Sequence, residues 1–245
     1  MINKWYKDWF SSELYLSVYQ HRNDEDAKQL CDLILSSTNI LHGSKILDAA
    51  CGAGRHSNVF SELGFDVVGF DLSKTLLRIA VENSINKSLS AKFFCSDIRN
   101  VPLRAKFNLI VNLFTSFGYF NSDEENFRFI KHAYDLLDVG GYYVLDYLNE
   151  KVLRKNLVAE SEKEINGGTI FEKREISNNR VVKEIKVISN GEEIKFYESV
   201  ALYSKEEILS FCSNIGFKCV NIFGDYTGKG FDESKSNRLI LVMQK

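Results

Sequence analysis

From Ser44 onward, short apolar runs alternate with amphipathic stretches, the pattern of strands joined by helices in a parallel sheet covered on both faces. Lys45 to Ala49 reads as the first strand, and Arg55 to Leu63 as its helix, with Gly64 as the stop. Asp66 to Phe70 follows as the second strand, and Ser73 caps a helix with Leu76, Leu77, Ala80 and Val81 at helical spacing. Lys92 to Cys95 and Asn108 to Leu113 give two more strands. Ser122-Asp123-Glu124-Glu125 is a capping box that opens a helix with Phe127, Ile130, Tyr134 and Leu137 inward. Gly140-Gly141 is expected to end that helix before a fifth strand, Tyr142 to Asp146.

The pattern differs at both flanks. Trp5, Tyr6, Trp9, Phe10, Tyr15 and Tyr19 fall at intervals that a helix gathers onto one or two faces, which predicts a helical N-terminal arm. Such a stripe serves either as packing on the core or as a cover over a ligand. Asp24 is expected to cap a second helix carrying Ala27, Leu30, Cys31 and Ile34. After Asn149 and one short helix, the chain turns charged and alternating: Thr169 to Ile176, Val181 to Ile188, and Ile194 to Ala201, with Asn190-Gly191 as a hairpin signal. This predicts a three-stranded antiparallel meander inserted in the α/β frame. A second capping box, Ser204 to Glu207, starts a helix that Gly216 ends, and Phe217 to Phe223 with Arg238 to Met243 form a closing hairpin.

Composition narrows the function. At 245 residues, with 44% hydrophobic and 26% charged positions, the chain can bury a core without staples, and neither disorder nor a fibrous repeat fits. No apolar run is long enough to cross a bilayer, and the charged, Trp-bearing start does not resemble a signal peptide, so a cytoplasmic protein is expected. A formal charge of −2 gives no electrostatic footprint for a nucleic-acid backbone and disfavours that partner. Five cysteines, an odd number without a C-x-x-C pair, argue against a disulfide framework or structural zinc. His21, His42, His56 and His132 lack ligand spacing, so no metal is expected.

The chemistry concentrates where the first strand enters Asp48-Ala49-Ala50-Cys51-Gly52-Ala53-Gly54 and then a helix. Glycines at such a turn let a ligand approach the backbone, and the helix start offers unpaired N–H groups. Asp71 closes the second strand, where a carboxylate can accept both hydroxyl hydrogens of a ribose, and Asp97 closes the third. His56 reads as a surface or interhelical contact or, alternatively, a ligand contact.

Three segments carry a family resemblance: Leu47 to His56, then Val67-Val68-Gly69-Phe70-Asp71-Leu72-Ser73, then Cys95-Ser96-Asp97-Ile98. Together they resemble the first three motifs of class I S-adenosylmethionine-dependent methyltransferases. The run Asn112 to Phe120 and the ending Ser236 to Ile240 are similar to a small-molecule branch with an antiparallel insert after strand five. The resemblance implies an α/β, Rossmann-like, seven-stranded and mostly parallel sheet with an antiparallel last strand. Residues 1–40 would be the arm or lid, 41–150 with 202–245 the cofactor domain, and 151–201 the insert, as a lid or a dimer surface outside the cofactor site. It further implies S-adenosyl-L-methionine as cofactor: Ala50, Gly52 and Gly54 around the methionyl part, Asp71 on the ribose, Leu72 on the adenine face, and Asp97 with Ile98 N–H on the adenine edge. Asn112 joins this set, as do Tyr15, whose ring suits a sulfonium, and Arg22, which would meet the cofactor's carboxylate. Ala50 stands where the family has its first glycine, tolerable if the backbone angles there are ordinary.

Methyl transfer from a sulfonium is an in-line displacement that needs positioning and dryness more than a covalent intermediate or a metal. A small-molecule acceptor presenting oxygen, nitrogen or carbon is open on this reading. Tyr19, Tyr119 and Tyr147 are the candidates that could face the methyl, with Tyr15, His21, Asn149 and the pair Asp225-Tyr226 behind them. Two other classes compete. A nicotinamide oxidoreductase would want G-x-G-x-x-G, and the third glycine position is Ser57. A non-catalytic adenosylmethionine-binding protein would share every motif named. A homodimer is a further expectation.

Overall fold

A computed structural model describes residues 4–12, 14–19, 24–165, 167–189 and 191–245. The arm comprises α1 (Trp5–Ser11) and α2 (Leu14–Val18), and α3 spans Asp24–Ser36. The frame then runs β1 (Lys45–Ala49), α4 (Arg55–Glu62), β2 (Asp66–Asp71), α5 (Lys74–Asn86), β3 (Lys92–Cys95), β4 (Phe107–Asn112), α6 (Asp123–Leu136), β5 (Leu137–Leu148) and α7 (Glu150–Lys155). The insert is β6 (Glu160–Ile165), β7 (Gly168–Ser177), β8 (Arg180–Ser189) and β9 (Glu192–Ala201). The chain closes with α8 (Lys205–Asn214), β10 (Lys218–Phe223) and β11 (Arg238–Gln244).

The seven-stranded sheet has the order β10-β11-β5-β4-β1-β2-β3, with β11 antiparallel to both of its neighbours. Because side chains alternate across a strand, each strand feeds both faces. Leu47, Ile110, Tyr143, Leu145 and Leu241 pack on one side, with Phe127, Ile130 and Ile208 from α6 and α8. Ile46, Val67, Leu109, Val144 and Val242 pack on the other, with Leu30 and Ile34 of α3 and Phe60 of α4. Double-sided burial explains the near-continuous apolar runs. The expected Ser73, Ser122 and Ser204 caps form, each side chain accepting a backbone N–H.

Two boundaries differ from expectation. Helix α6 ends at Leu136, not at Gly140, because Leu137 already pairs with Phe107 in the sheet; Gly140, at φ +79°, bends the start of β5. The insert has a fourth strand, β6, whose Glu-Ser-Glu-Lys-Glu-Ile sequence shows no apolar alternation because its side chains are mostly exposed. The turn residue Asn190 lies outside the described residues, as does the arm's His21-Arg22.

Arm and insert share a third core. Trp5, Tyr6 and Trp9 are buried against Ile170, Ile185 and Val187 of β7 and β8. The carbonyl end of α1 meets the start of α5, where Ser73 Oγ donates to Phe10 O at 2.6 Å. The insert is tied to the frame by Arg180, whose guanidinium donates to the carbonyls of Gly118, Tyr119, Phe120 and Ser199 and to Ser199 Oγ.

Candidate active site

A cavity of about 390 Å³ opens along the C-terminal ends of the parallel strands, roofed by the arm and by β9. This is the edge where open α/β sheets bind ligands, and the volume suits one small-molecule cofactor. The loop after β1 forms its floor. Gly52 (φ +55°) and Ala50 (φ +56°) both adopt left-handed backbone. Ala50 therefore does not have the ordinary angles that its methyl group favours, and it holds a strained conformation at the site. Gly54 serves differently: it lies outside the cavity wall, and a Cβ there would stand 2.9 Å from Ala80 Cβ and 3.1 Å from the Phe93 ring. Its smallness lets α4 approach α5 and β3, so its expected contact with the methionyl part is replaced by a packing role.

Asp71 lies at the cavity edge with both carboxylate oxygens engaged by backbone: Gly52 N–H donates to Oδ2 at 2.9 Å and Ser73 N–H to Oδ1 at 2.8 Å. Each oxygen keeps a second lone pair, which two adjacent ribose hydroxyls can use. Burial raises the Asp71 pKa, and the two N–H bonds partly oppose it. Asp97 also lines the cavity, but its carboxylate is gripped bidentately by Arg99, Nε to Oδ1 at 3.0 Å and Nη2 to Oδ2 at 2.7 Å. That hydrogen-bonded pair lowers the Asp97 pKa. Arg99 in turn reaches Glu125 at 2.6 Å and lies 4.4 Å from the Phe120 ring centroid. Leu72, Ile98 and Tyr15 line the cavity as expected.

Several expected site residues stand elsewhere. Asn112 is buried beneath the floor, and its Nδ2 donates to Ala49 O at 3.1 Å, so it braces the end of β1 and does not face the cavity. Tyr147 is fully buried and its hydroxyl donates to Ala201 O, which removes it as a partner for a methyl acceptor. Tyr147 also begins a Tyr-x-x-x-Lys spacing, but Lys151 is paired with Glu233 at 2.8 Å, so no oxidoreductase-like dyad forms. Asn149 caps α7 and holds the Glu233 and Ser236 carbonyls. Arg22 and His21 fall outside the described residues.

Tyr19 and Tyr119 do line the cavity. Tyr119 packs edge-on to Trp5, and the Tyr19 hydroxyl donates to Glu198 of β9 while receiving a bond from Lys183. Glu198 and Arg99 carry no motif spacing, and Arg238, though inside the Ser236 to Ile240 segment, is not among the site residues expected from sequence; their neighbours in space reveal all three. His56 is buried in the cavity wall, and burial, with Arg55 beside it, holds its pKa down at about 3. Asp48, equally buried, has its pKa raised to about 7 by desolvation, against the bond it accepts from Ser57 Oγ at 2.6 Å. At the end of β4, Phe114 (φ +60°) and Thr115 (φ +63°) are consecutive left-handed residues in the cavity wall. Among the described residues no cluster of His, Cys, Asp and Glu could hold a metal ion, and no helix is long and apolar enough to cross a membrane.

Residues 46–141 match the family model described as a methyltransferase domain. The glycine/sarcosine N-methyltransferase of Aphanothece halophytica is 35% identical over 111 residues, 44% of this chain and 42% of that protein. The dTDP-3-amino-3,4,6-trideoxy-alpha-D-glucopyranose N,N-dimethyltransferase of Streptomyces venezuelae is 31% identical over 121 residues, 49% and 48% of the two chains. The chain thus matches about half the length of these curated relatives. In fold, it is similar to an S-adenosylmethionine-dependent methyltransferase from Clostridium acetobutylicum, with TM-score 0.82 and 18% identity over 94% of this chain and 96% of that one.

Proposed function

We propose that this chain, which belongs to the class I S-adenosylmethionine-dependent methyltransferases, transfers a methyl group directly to a small-molecule acceptor. The observation that carries the reading is Asp71, fixed by two backbone N–H groups at the end of β2 with lone pairs left for a ribose. The cofactor supplies a methyl on a sulfonium. Asp71 would hold the ribose, Leu72 and Ile98 would flank the adenine, and the Asp97–Arg99 pair would present a fixed carboxylate to its amino edge. Gly52, where a Cβ would meet only Leu76 Cδ1 at 3.9 Å and which takes a left-handed φ of +55°, would border the methionyl part.

The protein's contribution is positioning and exclusion of water. The arm supplies aromatic walls from Trp5, Phe10, Tyr15 and Tyr19, whose faces suit a sulfonium. No covalent step or metal is required of these residues. His56 and Asp48 are buried titratable groups of the floor, and neither must act if the acceptor arrives with a free lone pair.

On the same reading, residues 1–40 and 151–201 act as lid and wall around the cofactor domain, 41–150 with 202–245. Glu198 and Val200 of β9 support a wall role for the insert, since both line the cavity. Pairing of two copies through the insert's outer face would leave that wall intact. A small acceptor, not nucleic acid, is supported by the cavity of about 390 Å³ and the near-balanced charge. A cytoplasmic location accords with the sequence. The relatives' acceptors, glycine or sarcosine and an aminated sugar nucleotide by their names, make amines the first to try.

Analysis of the ligand bound to the purified protein, followed by turnover assays over amine and hydroxyl acceptors, tests the proposal. Adenosylmethionine with methyl transfer supports it. Adenosylmethionine without turnover would favour a binding protein, and a nicotinamide would overturn it.

A further inference from the structure

Arg238 is a charged group of the cavity that the described residues leave incompletely used. Arg238 opens β11 and lines the wall. Its Nε donates to Asp146 Oδ1 at 2.8 Å, and Nη2 lies 2.7 Å from the same oxygen without hydrogen-bond geometry. Among the described residues Nη1 has no acceptor. Asp146 cannot give more: it is fully buried, and its other oxygen takes Phe114 N–H at 3.0 Å and the Tyr226 hydroxyl at 3.1 Å. The guanidinium is further fixed over the Phe114 ring, 5.7 Å from its centroid. The remaining anions of the wall are satisfied: Asp97 by Arg99, Glu198 by Lys183, Trp9 and Tyr19, and Asp71 by backbone. A guanidinium held along its Nε edge keeps Nη1 as a charged donor, which a carboxylate oxygen can accept.

We propose that Arg238 anchors the methyl acceptor by a carboxylate that the acceptor carries. This rests on the methyltransferase reading above and names the class of its substrate. The placement favours the acceptor over the cofactor's own carboxylate. Arg238 begins β11 and Asp71 ends β2, with β5, β4 and β1 between them. Arg238 thus stands four strand spacings, roughly 19 Å along the sheet edge, from the start of the ribose site. Arg55, on the first turn of α4 beside β1 and also in the wall, is the guanidinium nearer to it. A carboxylate on Arg238 lies on the far side of the methyl, and the acceptor's reacting atom would sit between the two.

Acetate serves as the probe, with acetamide as its uncharged counterpart, titrated by calorimetry into wild-type protein loaded with adenosylhomocysteine. Acetate should bind about tenfold or more tightly than acetamide, and Arg238→Lys, which keeps a cation against Asp146, should lose about tenfold in acetate affinity. Adenosylhomocysteine affinity should be the same in both proteins, which also reports that the variant is folded. Equal binding of acetate and acetamide to the wild type overturns the proposal without any variant. So does an Arg238→Lys protein that keeps acetate, or one that loses adenosylhomocysteine while keeping methylthioadenosine, which lacks the carboxylate; the arginine would then serve the cofactor. Wild-type protein that binds no adenosylhomocysteine would remove the methyltransferase reading itself, an outcome distinct from a loss confined to acetate.

Discussion

The indole N–H of Trp9 donates to the carboxylate of Glu198 at 2.7 Å, joining the N-terminal arm to the last strand of the insert across 189 positions of sequence. Glu198 is also bonded by the Tyr19 hydroxyl and paired with Lys183 at 2.8 Å. One carboxylate thus latches the roof of the cavity. Backbone amides of residues 5–19 are expected to gain hydrogen-exchange protection when adenosylhomocysteine is added. In Glu198→Ala, which removes charge-assisted bonds worth roughly 1.5–3 kcal/mol each, these amides should exchange faster. Equal protection with and without ligand would make the arm core and not a gate.

Replacement of Asp71 by Asn keeps the shape but turns one acceptor oxygen into a donor facing a backbone N–H. Loss of charge-assisted bonds to the ribose, roughly 1.5–3 kcal/mol, should weaken adenosylmethionine by about 10- to 150-fold. Calorimetry on a variant with an unchanged circular dichroism spectrum checks this, and unaltered affinity would sink the ribose assignment.

Asp48 and His56 oppose one another in pH dependence. The Asp48 pKa is raised from 3.8 to about 7, so its contribution to stability is present below pH 3.8 and lost as pH rises through 7. The His56 pKa is lowered from 6.5 to about 3, so its contribution is present above pH 6.5 and lost as pH falls through 3. Each amounts to roughly 4 kcal/mol at full extent, and between about pH 4 and 6.5 they largely cancel. Denaturant titrations across that window should be nearly flat for the wild type. Asp48→Asn should lose stability on acidification, and His56→Gln should gain it; the same slope in both variants would contradict the opposition.

At Ala50 the left-handed backbone costs a residue with a Cβ roughly 1–2 kcal/mol, and glycine gives back part of that gain as entropy in the unfolded chain. Ala50→Gly is therefore expected to stabilise the protein by up to about 1 kcal/mol, read as a higher denaturant midpoint. A lower midpoint would mean that the methyl group makes contacts that outweigh the strain.

The frame was legible because its central strands are buried on both faces and α5, α6 and α8 carry serine caps, so Lys45–Ala49, the Ser73 and Ser122 caps and the Asp71 position all follow from local pattern. What escaped depends on neighbours distant in sequence. Gly52 and Gly54 look alike in the motif, yet one lines the cavity and the other makes room for Ala80 and Phe93. Asn112 and Tyr147 sit one step below the ligand edge, and nothing in their spacing separates a wall residue from a brace. Glu198 is one glutamate among many in an alternating strand, and only the arm folded over it marks it out. Strand β6 was missed because an edge strand with exposed side chains carries no apolar period.

The order of the sheet constrains how the chain can assemble as it is made. Strand β11, the last in sequence, lies between β5 and β10 and supplies the pairing partner of each. Until residues 238–244 have emerged, β10 has no neighbour to dock on and β5 remains an open edge. Five strands, β3 to β5 in spatial order, can therefore form by local crossovers, whereas the pairing of β11 with β5 spans about 90 residues of chain and carries the larger closure entropy. A nascent chain halted before residue 238 would expose a long apolar edge, the feature that invites association between copies.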